Sequence, residues 1–181
     1  MLEAIGLIEW QSIAIGYAAT DILLKTSNIT LLEARPTCPG RFYALITGDV
    51  ASVKVSIEKA ENYSIEEVID KIVLPNAHPT VIPAITGRGI SYENQSLGIV
   101  ETFTLSSCLN CADMIAKSAA VELIEIRLGI GLAGKSIAIC CGEVAAVSSA
   151  VNRCPLLLSE NGNLVAVEVI AAPHKDLYGL Y

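Results

Sequence analysis

Apolar positions fall along this chain in two matching series. In the first, residues 3–10 form a short, nearly continuous apolar run of strand length. Ser12 follows, a residue whose hydroxyl can take an orphan N–H of a first helical turn, and predicts a helix to about residue 25. Asn28 fits its stop. Residues 29–34 and 42–47 read as a strand pair. Between them, Pro36, Pro39 and Gly40 predict a loop over 35–41, because proline removes a ladder donor and glycine favours turns. Asp49 predicts the cap of a second helix running to about 61, with Val50, Val53 and Ile57 spaced for one buried face. Residues 72–74 supply a last strand.

The second series repeats this order: strand 97–103, helix 105–119, strands 121–128 and 136–141, helix 143–151, and strand 164–170. Residue identities repeat as well. Gly6 and Glu9 answer Gly98 and Glu101, Asp21 and Lys25 answer Asp113 and Lys117, and 29–33 answers 121–125. After a two-residue slip, Gly40-Arg41 meets Gly134-Lys135 and 48–51 meets 142–145. Two copies of so long a period are tandem domains, whereas a solenoid needs shorter and more numerous units. The order βαββαβ predicts an α+β fold of two tandem ferredoxin-like domains, each an antiparallel sheet flanked by helices. Residues 1–86 form the first domain, 87–94 a linker and 95–181 the second. The stretch 80–94, with Gly87 and Gly89, lacks a helical period.

Composition narrows the class. A chain of 181 residues accommodates two domains of roughly 90 residues, each large enough for its own core. Its 52% hydrophobic content is high, so a membrane reading needs testing. No run reaches the roughly 18 uncharged apolar residues a bilayer span requires, and the longest candidate, between Lys71 and Arg88, is broken by Pro75, Pro79 and Pro83. Such apolar surface is better hidden in an oligomer. Met1-Leu2-Glu3 has no basic region of the secretory type, which predicts a cytosolic chain. Six cysteines there read as free thiols or metal ligands. A net charge of -7 without a basic cluster argues against a nucleic-acid partner.

The duplication also singles out one thiol. Cys38-Pro39-Gly40 faces Leu132-Ala133-Gly134, so the first copy carries a cysteine in a loop where the second has an aliphatic residue. Cys38 is either a small hydrophobe or a ligand presented on a turn. Cys108 and Cys111 make a Cys-x-x-Cys, which reads as packing on the first helix of the second copy or, alternatively, as the redox pair of a thiol oxidoreductase. Cys140 and Cys141 are neighbours on a strand and point to opposite faces, so they cannot grip one metal. Cys154 has no visible partner. His78 and His174 close the two copies at equivalent positions, and Glu9 and Glu101 repeat at strand ends. Neither pair comes with the acid, base and nucleophile grouping of a catalytic site, and both read as structural.

Taken together, Gly6 to Glu9 and Gly98 to Glu101, Asp21 to Lys25 and Asp113 to Lys117, Gly48-Asp49-Val50 and Gly142-Glu143-Val144, and the closing Ala172-Pro173-His174 resemble the bacterial microcompartment (BMC) shell proteins in tandem-domain form. That resemblance covers essentially the whole chain. It implies a structural protein and not an enzyme: a homotrimer whose six domains form a pseudohexameric tile, packed with other shell proteins around an organelle within the cytoplasm. It further implies that Cys38 lines the central pore and that three copies of it bind a [4Fe-4S] cluster, one per trimer, for electron transfer with a redox partner. A threefold axis would gather three thiolates, leaving one iron of the cubane to a non-protein ligand. Pro39 and Gly40 would form a tight turn beside the cluster, and Leu132, Ala133 and Gly134 a nonpolar rim. Three thiolates with an external ligand also suit zinc. A metal-free tile whose pore gates metabolites is the alternative. Lys25, Asn28 and Lys117 become tile-edge residues by the same resemblance. Ala120 departs from that pattern, as do Asn76 and Ala172, where the family often has arginine; this implies a tile that depends on other shell proteins as neighbours.

Overall fold

The computed structural model describes residues 4–87 and 95–177. Their contacts divide into two compact units, Met1–Ala77 with Gly129–Gly134, and His78–Leu128 with Lys135–Tyr181. The first contains β1 (Ala4–Trp10), α1 (Ile13–Thr26), β2 (Thr30–Thr37), β3 (Arg41–Gly48), α2 (Val50–Tyr63) and β4 (Val68–Leu74). The second contains α3 (Val81–Ile85), β5 (Ser96–Thr102), α4 (Leu105–Ser118), β6 (Val121–Leu128), β7 (Ser136–Gly142), α5 (Val144–Val151), α6 (Cys154–Leu157) and β8 (Leu164–Ile170). Unit boundaries fall at Ala77 and His78, so α3, which the division 1–86 assigns to the first domain, packs in the second unit against α4 and β6. Residues 88–94 of the expected linker lie outside the described residues, and Gly87 ends the described segment.

Each unit is an α+β layer structure with one four-stranded antiparallel sheet, ordered β2-β3-β1-β4 and β6-β7-β5-β8. The duplication extends to irregularities. Both sheets shift register between the last glutamate of the inner strand and the next residue, Glu9/Trp10 and Glu101/Thr102. Both edge strands shift again, between Leu31 and Glu33 and between Leu123 and Glu125. A repeated bulge is a retained feature of a sheet, since it re-aims every side chain beyond it.

Gly6 and Gly98 show why the copies share a glycine on the central strand. A Cβ on Gly6 would lie 2.7 Å from Val53 of α2, and one on Gly98 2.7 Å from Val147 of α5 and 2.8 Å from Cys140 Sγ. Helix and sheet are therefore too close for any side chain there. In the first unit the core gathers Ile8, Trp10, Leu23, Phe42, Ile46 and Ile57 around that contact. Trp10 is fully buried and its indole Nε1 donates to Ser64 Oγ at 2.8 Å, which satisfies its polar atom.

Most helix signals hold. Ser12 Oγ accepts from the Ile15 N–H at 3.3 Å, and an Asp49 carboxylate oxygen accepts from Ser52 N–H at 2.9 Å. Val53 and Ile57 are buried as the spacing predicts, but Val50 is 39% exposed. It sits in the first turn, and the buried stripe of α2 continues instead through Ser56 and Ala60. The expected loop 35–41 also shrinks, because β2 runs on through Pro36 to Thr37. Since β2 is the edge of its sheet, Pro36 forfeits no ladder bond there. β4 begins four residues earlier than the apolar run 72–74 suggests. The stretch 80–94 contains a short helix, α3. Finally, the expected helix 143–151 is followed by a break at Asn152 and the separate α6, in which Pro155 occupies the opening turn, where a missing N–H costs nothing.

Candidate functional site: the turn at Cys38 and the loop facing it

Cys38 lies in the turn between β2 and β3, where Gly40 N–H donates to Thr37 O at 2.9 Å. The thiol is exposed. All five other cysteines are buried. Gly40 has φ +95, a left-handed conformation that glycine adopts without penalty, and a Cβ placed on it would meet nothing within 4 Å. The turn is thus tight in its backbone and open on its outer side.

Loop Gly129–Gly134 belongs to the same compact unit as Cys38. The connection it belongs to, 129–135, has seven residues against the three of its counterpart, 38–40, and Gly129, Gly131, Ala133 and Gly134 all take positive φ. Leu132 is half-buried, Ala133 exposed and Gly134 buried. A Cβ on Gly134 would lie 3.1 Å from both Cys38 O and Pro39 Cδ, and 3.4 Å from Arg41 Nη1. The two loops that the repeat alignment matches therefore pack against each other, with Gly134 as the point of contact. On the other side, Arg41 Nη1 donates to Glu9 Oε1 at 3.0 Å, and Glu9 is fully buried. Glu9 thereby anchors the start of β3, immediately after the turn. Its counterpart Glu101 pairs with Lys135 at 2.5 Å in the second copy. The two glutamates thus serve separate ion pairs, one in each sheet.

Does this surface suit a thiolate-bound inorganic cluster? An exposed sulfur, beside a glycine whose side-chain space is empty, leaves room for a bulky group. Among the described residues of one chain, no three histidine, cysteine or acidic side chains are grouped so as to hold a metal ion. A cluster on Cys38 needs thiolates from further copies. A thiolate is the donor type that an iron–sulfur group takes, and at this turn one chain would supply one such donor.

The remaining cysteines form a different environment. Burial pushes the Cys108 and Cys140 thiols up to about 12, and Cys141 to about 11. Cys111 is raised too, through a thiol hydrogen bond to Cys154 and burial. Cys154, without a visible partner in the sequence, thus meets Cys111 across the fold. Protonated, buried thiols are poor nucleophiles, so Cys108 and Cys111 lack the low-pKa, accessible character of a dithiol redox pair. His78 Nδ1 hydrogen-bonds Thr80 Oγ1 at 2.8 Å, and His174 Nδ1 accepts from Asp176 N–H at 3.3 Å. Lys25, Asn28 and Lys117 are all exposed, and the two lysines pair with Asp21 and Asp113 of their own helices at 2.6 Å. Among the described residues no helix is long and apolar enough to cross a membrane.

The sequence profile of the BMC domain matches residues 4–77 and 96–173, once for each sheet. This chain belongs to the BMC-domain family. It does so in tandem form, as the repeated motifs suggest. The chain is 36% identical to the bacterial microcompartment shell protein PduT of Citrobacter freundii, over 98% of this chain and 97% of that protein. A crystal structure of a microcompartments protein from Desulfitobacterium hafniense is 44% identical, covers 98% of both chains and superposes with a TM-score of 0.89. The carboxysome assembly protein CcmO of Synechocystis is 30% identical over 97% of this chain, which spans 63% of that longer relative. The relative matched over 97% of its own length is thus, by its description, a bacterial microcompartment shell protein.

Proposed function

We propose that this BMC-domain chain is a structural tile of a microcompartment shell. Three copies associate so that six domains make a hexamer-like ring, and the ring packs beside other shell proteins. The three Cys38 thiolates, brought together on the axis, hold one [4Fe-4S] cluster in the central pore. When bound, such a cluster takes up and releases single electrons, which would connect a redox partner on one side of the shell with cofactors on the other. The chain's own residues hold and shield it: the Cys38 turn offers the sulfur, while Leu132 and Ala133 give a nonpolar surround.

One observation carries this reading. Of six cysteines, only Cys38 is exposed, and it stands on a tight turn with open space beside it. The test is anaerobic reconstitution with iron and sulfide, followed by metal analysis, absorption and electron paramagnetic resonance. One cluster per three chains is expected, abolished by Cys38→Ser. A Cys38→Ser protein that keeps the full signal overturns the ligand assignment. Background iron and sulfide in the anaerobically purified and reconstituted wild type would favour a metal-free tile whose pore gates metabolites.

A further inference from the structure

The second unit gathers thiols in its core at places where the first has none. In the frame of the repeat, Cys108 and Cys111 on α4 stand for Gly16 and Ala19 on α1, and Cys140 on β7 stands for Ile46. Cys154, at the start of α6, stands for Ala60 of α2. All four cysteines are buried, at 0 or 1% exposure. Cys140 Sγ lies beneath α5, since a Cβ on Gly98 would meet it at 2.8 Å and both Val147 and Val151 at 2.7 Å. Cys154 extends the buried stripe that Val147 and Val151 begin.

Within this group the contacts are selective. Cys108 hydrogen-bonds the side chain of Thr102, whereas the Cys111 thiol hydrogen-bonds that of Cys154. Ala19 and Ala60, the counterparts of that thiol pair, are both fully buried in one core cluster. Positions that hold only a methyl group each in the first copy leave little room, so two added sulfurs are kept together, the approach a disulfide needs. The core around them is made of small groups: Thr102 and Ser136, both 0% exposed, stand where the first copy has Trp10 and Phe42. Among the described residues no third ligand joins the pair to hold a metal ion.

The short helix α6 supplies a way in. It has four residues, follows the break at Asn152, and leaves Leu156 80% and Leu157 39% exposed. Cys154 is its buried residue. An element so short and so lightly covered opens at less cost than the sheet or α4, and its opening carries Cys154 towards solvent.

We propose that Cys111 and Cys154 are a site of reversible oxidation, joined as an intrachain disulfide by a hydroperoxide. Lifted with α6, the Cys154 thiol gives up its proton and its sulfur attacks the peroxide. The O–O bond breaks, the sulfur becomes a sulfenic acid, and the released hydroxide or alkoxide takes up the proton. On reclosure the Cys111 sulfur displaces the hydroxyl from Cys154: the S–S bond forms, the S–O bond breaks, and hydroxide leaves as water with the Cys111 proton. Two thiols have then lost two electrons to the peroxide, and a dithiol reductant reverses the step. The bond ties α6 to α4, and it requires neither the trimer nor the cluster.

The test uses the full chain carrying Cys38→Ser, which removes the exposed thiol and leaves five. The native protein is treated with hydrogen peroxide, then denatured, alkylated with iodoacetamide and mapped by peptide mass spectrometry. Two of the five thiols should escape alkylation, in a linked peptide pair that holds Cys111 and Cys154 and is two hydrogens lighter than the reduced peptides together. Dithiothreitol should restore both. Cys154→Ala and Cys111→Ala, which install the first copy's residue, should abolish the link, and Cys108→Ala should keep it. The urea midpoint of the oxidised chain should lie above that of the reduced one, a shift that vanishes in Cys154→Ala. Five alkylated thiols after a treatment that fully oxidises Cys38 in the wild type overturn the proposal. So does a link that runs through Cys108 or Cys140, or a sulfinic acid on Cys154 without a link.

Discussion

Arg41 reaches back across the sheet to the fully buried carboxylate of Glu9, 3.0 Å away, and so fixes the backbone that leaves the Cys38 turn. Removing the arginine takes from that buried carboxylate the charge that faces it, a loss that reaches roughly 3–5 kcal/mol where the remaining charge has no other compensation. Arg41 keeps partial exposure, so Arg41→Ala should cost about 3 kcal/mol, the lower end of that range. In the equivalent pair both side chains keep access to solvent, Lys135 at 39% and Glu101 at 26%, where Glu9 has none, and Lys135→Ala should cost about 1 kcal/mol or less. Urea unfolding of the two variants measures the difference. Equal losses would show that Glu9 does not depend on Arg41.

The exposure of the thiols predicts a simple stoichiometry. With Ellman's reagent, the native cluster-free chain should show one fast-reacting thiol, and Cys38→Ser none, because the other five sulfurs are buried. In denaturant the wild type should release all six. A second fast thiol in the native state, retained in Cys38→Ser, would restore Cys108 or Cys111 as a candidate reactive group.

What the sequence discloses about this fold, and what it hides, follows from the range of the interactions. Strand order, helix caps and the duplication are local, and they are legible in Ser12, Asp49, Gly6 and Gly98. Pro36 misleads because its effect depends on whether its strand lies at an edge, which only the assembled sheet decides. Val50 misleads similarly, since helical spacing gives a face but not where the neighbouring sheet stops. At the site, the pairing of the Cys38 turn with the Gly129–Gly134 loop is visible as a repeat alignment, but their contact is not. Asp113 and His78, 35 residues apart, carry no local signal of their hydrogen bond. The one available hint was the recurrence of aspartate and histidine at matching places in both copies.

That loop contact gives Gly134 a testable role. A Cβ there would press on Cys38 O and Pro39 Cδ at 3.1 Å, in a backbone of φ +86 that side chains resist. Gly134→Ala should therefore destabilise the chain by about 1 kcal/mol and change the rate at which Cys38 reacts. Gly162→Ala, also at positive φ but with open space around it, should carry the backbone cost and leave the Cys38 rate untouched. Unchanged Cys38 kinetics in Gly134→Ala would show that the facing loop does not position the turn.

Alkaline pH should unfold this protein through its buried thiols. In the unfolded chain a cysteine ionises near a pKa of about 8.5. Folded, burial holds Cys108 and Cys140 protonated up to about 12 and Cys141 up to about 11. Between those values the unfolded state binds fewer protons than the folded one, so stability falls as pH rises. The full contribution is present below about pH 8 and is lost progressively towards pH 12. Each such thiol adds a slope of about 1.4 kcal/mol per pH unit in that window. Cys108→Ala should lower the slope by one thiol's share, although the smaller side chain also lowers stability at neutral pH. Urea midpoints measured from pH 7 to 11 read both effects. A slope unchanged by Cys108→Ala would mean that this thiol ionises without unfolding the domain.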